Sequence, residues 1–295
     1  MLVVVGPTAV GKTAMAVQLA NHFRTEILSA DSRQFYKEMS IGTAKPSNEE
    51  LAQATHHFIN SHSIVENYSA GDYERDALIL VNKLFEHKDI VLVVGGSGLF
   101  VRALCEGFDD LPDVPAETRQ RLNLKAAEQG IEEFQHTLKS IDPDFYQSQS
   151  IHNTQRVIRA MEIYETTGKP LSYFQQKNTE KRPFNVITIG LNMDRQALYN
   201  RINQRVDGMM RQGLLEEVKN LYAYKDKPAL QTVGYAELFD YLNQKISLEE
   251  AVDKIKQNSR KYAKRQITWF KKYGQTQWFD PNDLNGILNF LSDKI

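Results

Sequence analysis

From residue 6 to residue 13 the chain reads Gly6-Pro7-Thr8-Ala9-Val10-Gly11-Lys12-Thr13, two glycines framing a short run that ends in lysine and threonine. This is the spacing of a phosphate-binding loop. The apolar run Leu2-Val3-Val4-Val5 before it predicts a buried strand, and Ala14 to Ala20 after it predicts a helix. Strand, loop and helix in that order are the context the pattern needs. Backbone N–H groups of such a loop and of the helix N-terminus converge on one spot and favour an anion there. Lys12 adds a full positive charge, and the Thr13 hydroxyl can hold Mg²⁺. The chemistry is that of a di- or triphosphate, and the loop alone leaves open which.

Asp31-Ser32-Arg33-Gln34-Phe35-Tyr36 follows a second apolar run, Glu26 to Ala30. A carboxylate beside a phosphate loop has three readings: it could hold Mg²⁺, accept a proton from a nucleophile, or cap a helix. A third run, Ile90 to Val94, leads into Gly95-Gly96-Ser97-Gly98-Leu99-Phe100. Many nucleotide hydrolases carry a metal-binding aspartate at such a strand end. Glycines there permit close backbone approach by a ligand and speak against ATP hydrolysis. Between Lys254 and Lys272 lie eight basic residues (Lys254, Lys256, Arg260, Lys261, Lys264, Arg265, Lys271, Lys272) and no acidic one. Such a stripe either attracts phosphates or is a solvated helix face.

These groups need a scaffold. With a fourth run at Val186 to Leu191, and helical stretches between the first three, the pattern predicts an α/β fold: a phosphate-loop parallel sheet flanked by helices. Ligands bind at the carboxyl ends of such strands, so the loop, Asp31 and Gly95 should converge. The stretch between the third and fourth runs is too long for a simple crossover. Glu117 to Gln129, Ile131 to Ser140 and Asn153 to Thr166 have helical periodicity, with Pro112 and Pro115 before them and Gly168-Lys169-Pro170 and Arg182-Pro183 after. We expect a helical insertion domain at 110–183 within a core domain made of 1–109 and 184–295. Val206, Met209, Met210, Leu214, Val218 and Leu221 form an apolar helical stripe of the kind that builds core.

Composition agrees. Of 295 residues 41% are hydrophobic and 25% charged, with a net charge of −1, ordinary values for a globular protein. No apolar run is long enough for a membrane span and no secretory leader is expected, which points to the cytoplasm. The single cysteine, Cys105, rules out an internal disulfide and a cysteine-based zinc site. The seven histidines form no His-Glu-x-x-His pattern, and the adjacent His56 and His57 are expected to pack or make polar contacts.

The phosphate loop, Asp31 to Gln34, Gly42-Thr43-Ala44-Lys45-Pro46, His56-His57, Tyr68-Ser69-Ala70-Gly71-Asp72-Tyr73 and Gly95 to Leu99 together resemble the tRNA dimethylallyltransferases, bacterial type. The resemblance continues through Asn153 to Ala160, Gly168-Lys169-Pro170, Arg201-Ile202-Asn203-Gln204-Arg205-Val206, Val233-Gly234-Tyr235 and Tyr262-Ala263-Lys264-Arg265-Gln266. It spans nearly the whole chain in order. It implies transfer of a dimethylallyl group from dimethylallyl diphosphate to N6 of the adenosine 3′ of the anticodon, in tRNAs reading codons that begin with U. The cofactor implied is Mg²⁺, held at Thr13. Asp31 would be the general base, while Lys12, Thr13 and Arg201 would stabilise the departing diphosphate. Contacts to the tRNA anticodon stem-loop are implied for Asp31, Ser32, Arg33, Gln34, Ser97, Arg119, Gln155, Arg156, Val157, Ile158 and Arg159. Gln231, Gly234 and Tyr235 join that set, and Lys261, Lys264 and Arg265 would meet stem phosphates. A monomer is expected. Two other readings share the loop: a small-molecule phosphotransferase of the nucleoside or shikimate kinase type, and a nucleotide-regulated RNA-binding protein without covalent chemistry.

Overall fold

The computed structural model describes residues 1–109, 111–175, 181–273 and 275–295. The first part of the chain forms β1 (Leu2–Val5), α1 (Lys12–Phe23), β2 (Ile27–Ser29), α2 (Asn48–Gln53), β3 (His56–His57), α3 (Ala70–Phe85), β4 (Leu92–Gly95) and α4 (Gly98–Glu106). Five helices follow: α5 (Ala116–Gln129), α6 (Glu132–Ile141), α7 (Pro143–Gln147), α8 (Thr154–Thr167) and α9 (Leu171–Phe174). The last part forms β5 (Ile187–Leu191), α10 (Arg195–Arg211), α11 (Leu214–Asn220), α12 (Tyr235–Leu242), α13 (Leu248–Lys272), β6 (Gln277–Phe279) and α14 (Leu284–Ser292). One compact unit comprises Met1–Cys105 with Arg182–Ile295, and the other is Glu106–Lys181. The expected break at residue 110, and residues 176–180 of the expected insertion, lie outside the described residues.

In the first unit six strands form one sheet, ordered β3-β2-β4-β1-β5-β6, and every pairing is parallel. Sequence periodicity pointed to four strands. The two others are edge strands of two and three residues, too short for any repeat of side chains to be legible. β3 is the His56-His57 pair, with His57 Nε2 2.6 Å from the Glu26 carboxylate. Side chains alternate across the sheet, and both faces are covered. Leu2, Val4, Ile189 and Leu191 pack with Met15, Leu19, Leu198 and Ile202 on one face. Val3, Val5, Val91 and Val93 pack with Phe35, Tyr73, Val81 and Leu104 on the other. Burial of each such valine or leucine contributes about 1.5–3 kcal/mol, which is why the central strands read as unbroken apolar runs.

The Tyr68-to-Tyr73 motif is a helix start. The Ser69 hydroxyl accepts the Asp72 N–H at 3.2 Å while the Asp72 carboxylate accepts the Ser69 N–H at 2.8 Å, and Tyr73 is fully buried behind them. The apolar stripe from Val206 to Leu221 joins Tyr235, Leu238, Phe239 and Ile255 in a helical cluster beside the sheet. The second unit has its own core, in which Leu122, Phe134, Leu138, Val157, Ile158 and Ile163 meet.

Register brings the carboxyl ends of the strands level. Val5 pairs with Gly95 and with Gly190, and Ser29 pairs with Val94. Gly95 is a point of close approach: a Cβ there would stand 2.2 Å from the Ala30 carbonyl oxygen. Gly95→Ala should therefore force β2 from β4 and destabilise the protein by about 1–3 kcal/mol. A urea midpoint equal to that of the wild type would show that the two strand ends have room to part.

Candidate active site

The phosphate loop turns directly from β1 into α1. Ala9 and Gly11 adopt left-handed backbone conformations, with φ of 64° and 110°, and α1 begins at Lys12. The Lys12 ammonium folds back onto the loop, donating to the Gly6 carbonyl at 3.0 Å and the Pro7 carbonyl at 2.8 Å. Desolvation pulls its pKa down to about 8. The Asp31 charge opposes that fall and the Arg205 charge adds to it.

Asp31 follows β2 by two residues. One carboxylate oxygen accepts the Arg33 N–H at 3.0 Å, an Asx turn, and no helix starts there. The helix-cap reading therefore falls, and the turn instead fixes the direction of the carboxylate. Neighbouring residues are tied down as well. The Ser32 N–H donates to the Ser97 hydroxyl at 2.9 Å, and the Tyr262 hydroxyl shares a hydrogen bond with Ser97. Burial and the Asp31 charge push the Tyr262 pKa up to about 12, so it stays a neutral phenol. Gln34 accepts from the Ser29 hydroxyl at 3.1 Å and donates to the Thr43 and Ala44 carbonyls at 3.3 and 3.2 Å.

The loop from Ser40 to Gly42 is held from α11. Glu217 accepts the N–H groups of Ser40, Ile41 and Gly42 at 3.0, 2.8 and 3.0 Å, and the Tyr235 hydroxyl at 2.6 Å. Gly42 sits on the Tyr235 ring, where a Cβ would come within 2.5 Å. Tyr235 is thus a fully buried support for this loop. Gly234, with φ of 99°, starts α12 beside it, and exposed Gln231 donates to the Lys225 carbonyl at 2.6 Å.

Two cavities open on these groups. One, of about 220 Å³, has Ile202, Val206, Met209, Val233 and Ile255 as an apolar wall, with Thr8, Asp31, Arg33, Arg205 and Tyr262 as its polar edge. The other is a wider cleft of about 920 Å³, lined by Lys12, Thr13, Lys45, Arg201 and Arg205 among others. Thr8, Asp31, Arg205 and Tyr262 belong to both. Arg201, at the exposed rim, approaches Gly11: a Cβ on that glycine would be 3.7 Å from its guanidinium. Arg205, one helical turn further along α10, is the cation inside the cleft, desolvated and stabilised by Asp31. Sequence reasoning singled out Arg201 and passed over Arg205. The i,i+4 spacing of the two arginines puts both on one face of α10 and does not say which lies inside.

A divalent ion fits only partly on protein. Thr13 and Asp31 offer hard oxygen donors on one cleft, suited to Mg²⁺. Among the described residues no group of three or more His, Cys, Asp or Glu side chains could hold a metal. Most of the coordination would have to come from phosphate oxygens and water.

The basic stripe divides by face. Lys261, Lys264 and Arg265 are exposed on α13, as are Lys271 and Lys272. Lys256 pairs with Asp207 of α10 at 2.7 Å, and Arg260 donates to Asn203 at 2.6 Å. A neighbouring helix thus supplies one carboxylate and one amide oxygen that the stripe itself lacks. In the second unit, Val157 and Ile158 are buried core side chains, whereas Gln155 and Arg156 are exposed on the first turn of α8. Arg119 and Arg159 converge on the buried Glu162, at 3.4 and 3.1 Å. Among the described residues no helix is long and apolar enough to cross a membrane.

A family model described as IPP transferase matches residues 34–273. A tRNA dimethylallyltransferase of Christiangramia forsetii is 49% identical over 294 residues, which is 99% of this chain and 97% of that protein. One from Flavobacterium johnsoniae is 47% identical over 302 residues, covering 100% of this chain and 98% of that protein. Among solved structures, the tRNA isopentenylpyrophosphate transferase of Bacillus halodurans superposes with a TM-score of 0.73 at 38% identity, over 99% of this chain and 95% of that one. A eukaryotic dimethylallyltransferase acting on tRNA gives 0.81 at 27% identity, over 100% of this chain and 80% of that one. With the model spanning most of its length and relatives this similar from end to end, the chain belongs to the IPP transferase family.

Proposed function

We propose that this protein transfers the dimethylallyl group of dimethylallyl diphosphate to N6 of the adenosine 3′ of the anticodon, in tRNAs reading codons that begin with U. The observation that carries this reading is the junction of the two cavities. A phosphate loop with two desolvated cations opens directly onto an apolar-walled pocket, and a fixed carboxylate stands where they meet. An apolar wall would also suit the base of a nucleoside, so it is membership of the IPP transferase family that sets the phosphotransferase aside. A prenyl diphosphate has one end for each part.

In the transfer, the N6 lone pair attacks C1 of the dimethylallyl group, the C1–O bond breaks, and its electron pair leaves with diphosphate. Lys12 and Arg205 face the charge that grows on the leaving oxygens, Arg201 meets it from the rim, and the loop N–H groups share it. Mg²⁺, when bound with diphosphate at Thr13, would neutralise further charge. The exocyclic amine of adenine is a weak nucleophile because its lone pair is delocalised into the ring. Asp31 takes the N6 proton as the bond forms. The target adenosine must leave the anticodon stack to reach the pocket. Asp31, Ser32, Arg33, Gln34, Ser97, Gln231 and Gly234 are candidate contacts for it and its neighbours, Tyr235 supporting them from beneath. Gln155, Arg156, Arg159 and Arg119 are candidate contacts on the second unit, with Val157 and Ile158 packing behind them. Lys261, Lys264 and Arg265 offer charge to stem phosphates. We place the reaction in the cytoplasm, with the enzyme acting as a monomer.

The direct test is mass analysis of tRNA nucleosides after incubation with the protein, Mg²⁺ and dimethylallyl diphosphate. A dimethylallyladenosine product is expected, and RNA left unmodified while free metabolites are phosphorylated would sink the reading. Asp31→Asn should lower kcat by roughly 10²–10⁴-fold with little change in RNA affinity, and full turnover in that variant would remove Asp31 as the base.

Lys12 makes a pH-dependent prediction. Its folded pKa of about 8 lies below the ordinary 10.5. Below about pH 8 the native state carries the desolvated charge at full penalty. Between the two values the unfolded chain keeps a proton that the native state has released, so the free protein gains stability as pH rises through that window. Bound diphosphate reverses the preference and keeps the lysine charged. Binding above about pH 8 should therefore take up a proton that Lys12→Met does not, read from calorimetry in buffers of different ionisation enthalpy; equal uptake by both proteins would contradict the assignment.

For the RNA, changing Lys261, Lys264 and Arg265 together to Ala should flatten the slope of log K against log salt by about 0.7–0.9 per lost phosphate contact. Diphosphate affinity measured without RNA should stay as it was. An unaltered salt slope would mean that this face of α13 meets only solvent.

A further inference from the structure

Helix α13 faces two ways. Its outer side carries the exposed Lys261, Lys264 and Arg265, while its inner side reaches two loops of the site through one residue, Gln266. Only 6% of Gln266 is exposed. Its amide oxygen accepts the Thr8 N–H at 2.8 Å, and its amide nitrogen donates to the Gly96 carbonyl at 2.9 Å. Thr8 is in the middle of the phosphate loop and Gly96 is the first residue after β4, so this side chain joins two strand ends from a helix far along the chain. Space around the amide is closed: a Cβ on Gly96 would lie 2.3 Å from its nitrogen. A side-chain amide can accept and donate at once in a fixed direction, which neither a carboxylate nor an ammonium can do.

We propose that Gln266 is a positioning residue for the transfer, holding the phosphate loop in its diphosphate-binding shape before the ligand arrives. The inference rests on the functional reading above and extends it to a residue with no assigned part in it. The loop is anchored at its ends, by the buried Val10 and by Lys12 on the Gly6 and Pro7 carbonyls, and Gln266 fixes the N–H at its middle. The Thr8 N–H, bonded to Gln266, is not free to swing, and the remaining loop N–H groups keep their common aim. Without the amide, the Thr8 N–H and the Gly96 carbonyl lose their partner, and diphosphate must order the loop at the expense of its own affinity.

The test compares full-length wild type, Gln266→Met and Gln266→Glu by calorimetry with inorganic diphosphate and Mg²⁺, alongside binding of anticodon stem-loop RNA. Gln266→Met keeps the length and loses both hydrogen bonds. It should bind diphosphate about tenfold more weakly and raise the KM for dimethylallyl diphosphate more than it lowers kcat, with RNA affinity unchanged. Gln266→Glu keeps the size and varies the bonding with pH. Ionised, it accepts from Thr8 but opposes the Gly96 carbonyl; protonated, it donates to Gly96 again, and burial favours that form. Its diphosphate Kd relative to wild type should therefore approach one as pH falls from about 8 to about 5.5, while the Met ratio stays flat. Lys12, Asp31, Arg201, Arg205 and Tyr262 line the same cleft as Gln266 in all three proteins, and an ionised Glu there also repels diphosphate directly, so the Met variant, which adds no charge, carries the test of positioning. Variants that bind diphosphate like wild type, a flat Glu ratio, or RNA affinity lost in step with diphosphate affinity would each overturn the proposal. Failure of the wild type to bind diphosphate would overturn the functional reading and this inference with it.

Discussion

A lysine ammonium taken out of water, with a guanidinium as its neighbour and only two backbone carbonyls as acceptors, is an uncomfortable arrangement. Lys12 bears that discomfort as a pKa lowered to about 8, and the Asp31 carboxylate relieves only part of it. The rest of the site follows from this charge balance. Two desolvated cations and one carboxylate leave an excess positive charge in a cleft of low dielectric, where an incoming dianionic or trianionic group gains more than it would in water. The sheet exists to keep those three groups together. They stand at the start of α1 after the β1 loop, two residues beyond β2, and on α10, and only the level carboxyl ends of parallel strands bring the first two to one edge.

Asp31 is the member of the set whose position departs most from the nucleotide-hydrolase pattern. In those proteins a carboxylate at the end of the strand beside the phosphate loop serves the metal. Here β4 neighbours β1, and it ends in Gly95-Gly96 with no carboxylate, only backbone in close contact with Ala30 and with the Gln266 amide. The carboxylate stands instead one strand further out, beyond β2. From there it borders the apolar pocket as well as the phosphate cleft. That displacement suits the proposed transfer, in which proton removal at the acceptor amine and bond breaking at the diphosphate would need separate groups.

The parts legible in the sequence are those whose residues are contiguous. The phosphate loop, the central apolar strands and the helices of the second unit are local patterns, and local geometry reproduces them. What escaped notice depends on partners distant in the chain. β3 and β6 are strands only because an existing sheet edge pairs with them. Arg205 differs from Arg201 by one helical turn, and nothing but the packing of α10 tells which of the two lies inside. Tyr235 and Glu217 meet across the Ser40 to Gly42 loop, so a tyrosine in a recognisable motif proves to be a support beneath the surface that the motif suggested. The basic stripe looked unpaired because Asp207 and Asn203 belong to another helix.

Glu162 shows how the same logic works away from the phosphate loop. Its side chain is 5% exposed, and a carboxylate so enclosed is costly unless cations stand beside it. Arg119 and Arg159 fill that role from α5 and α8. Each guanidinium is thereby fixed at one edge by a partner that cannot follow it into solvent, and has fewer rotamers to lose in a further contact. The pairing also removes part of each positive charge from the field beyond the surface. The arrangement therefore favours directional contact over long-range attraction, whereas the exposed lysines of α13 have the opposite balance. Under the proposed function the first kind would seat a nucleotide and the second would draw in the polyanion, and the two kinds stand on different helices.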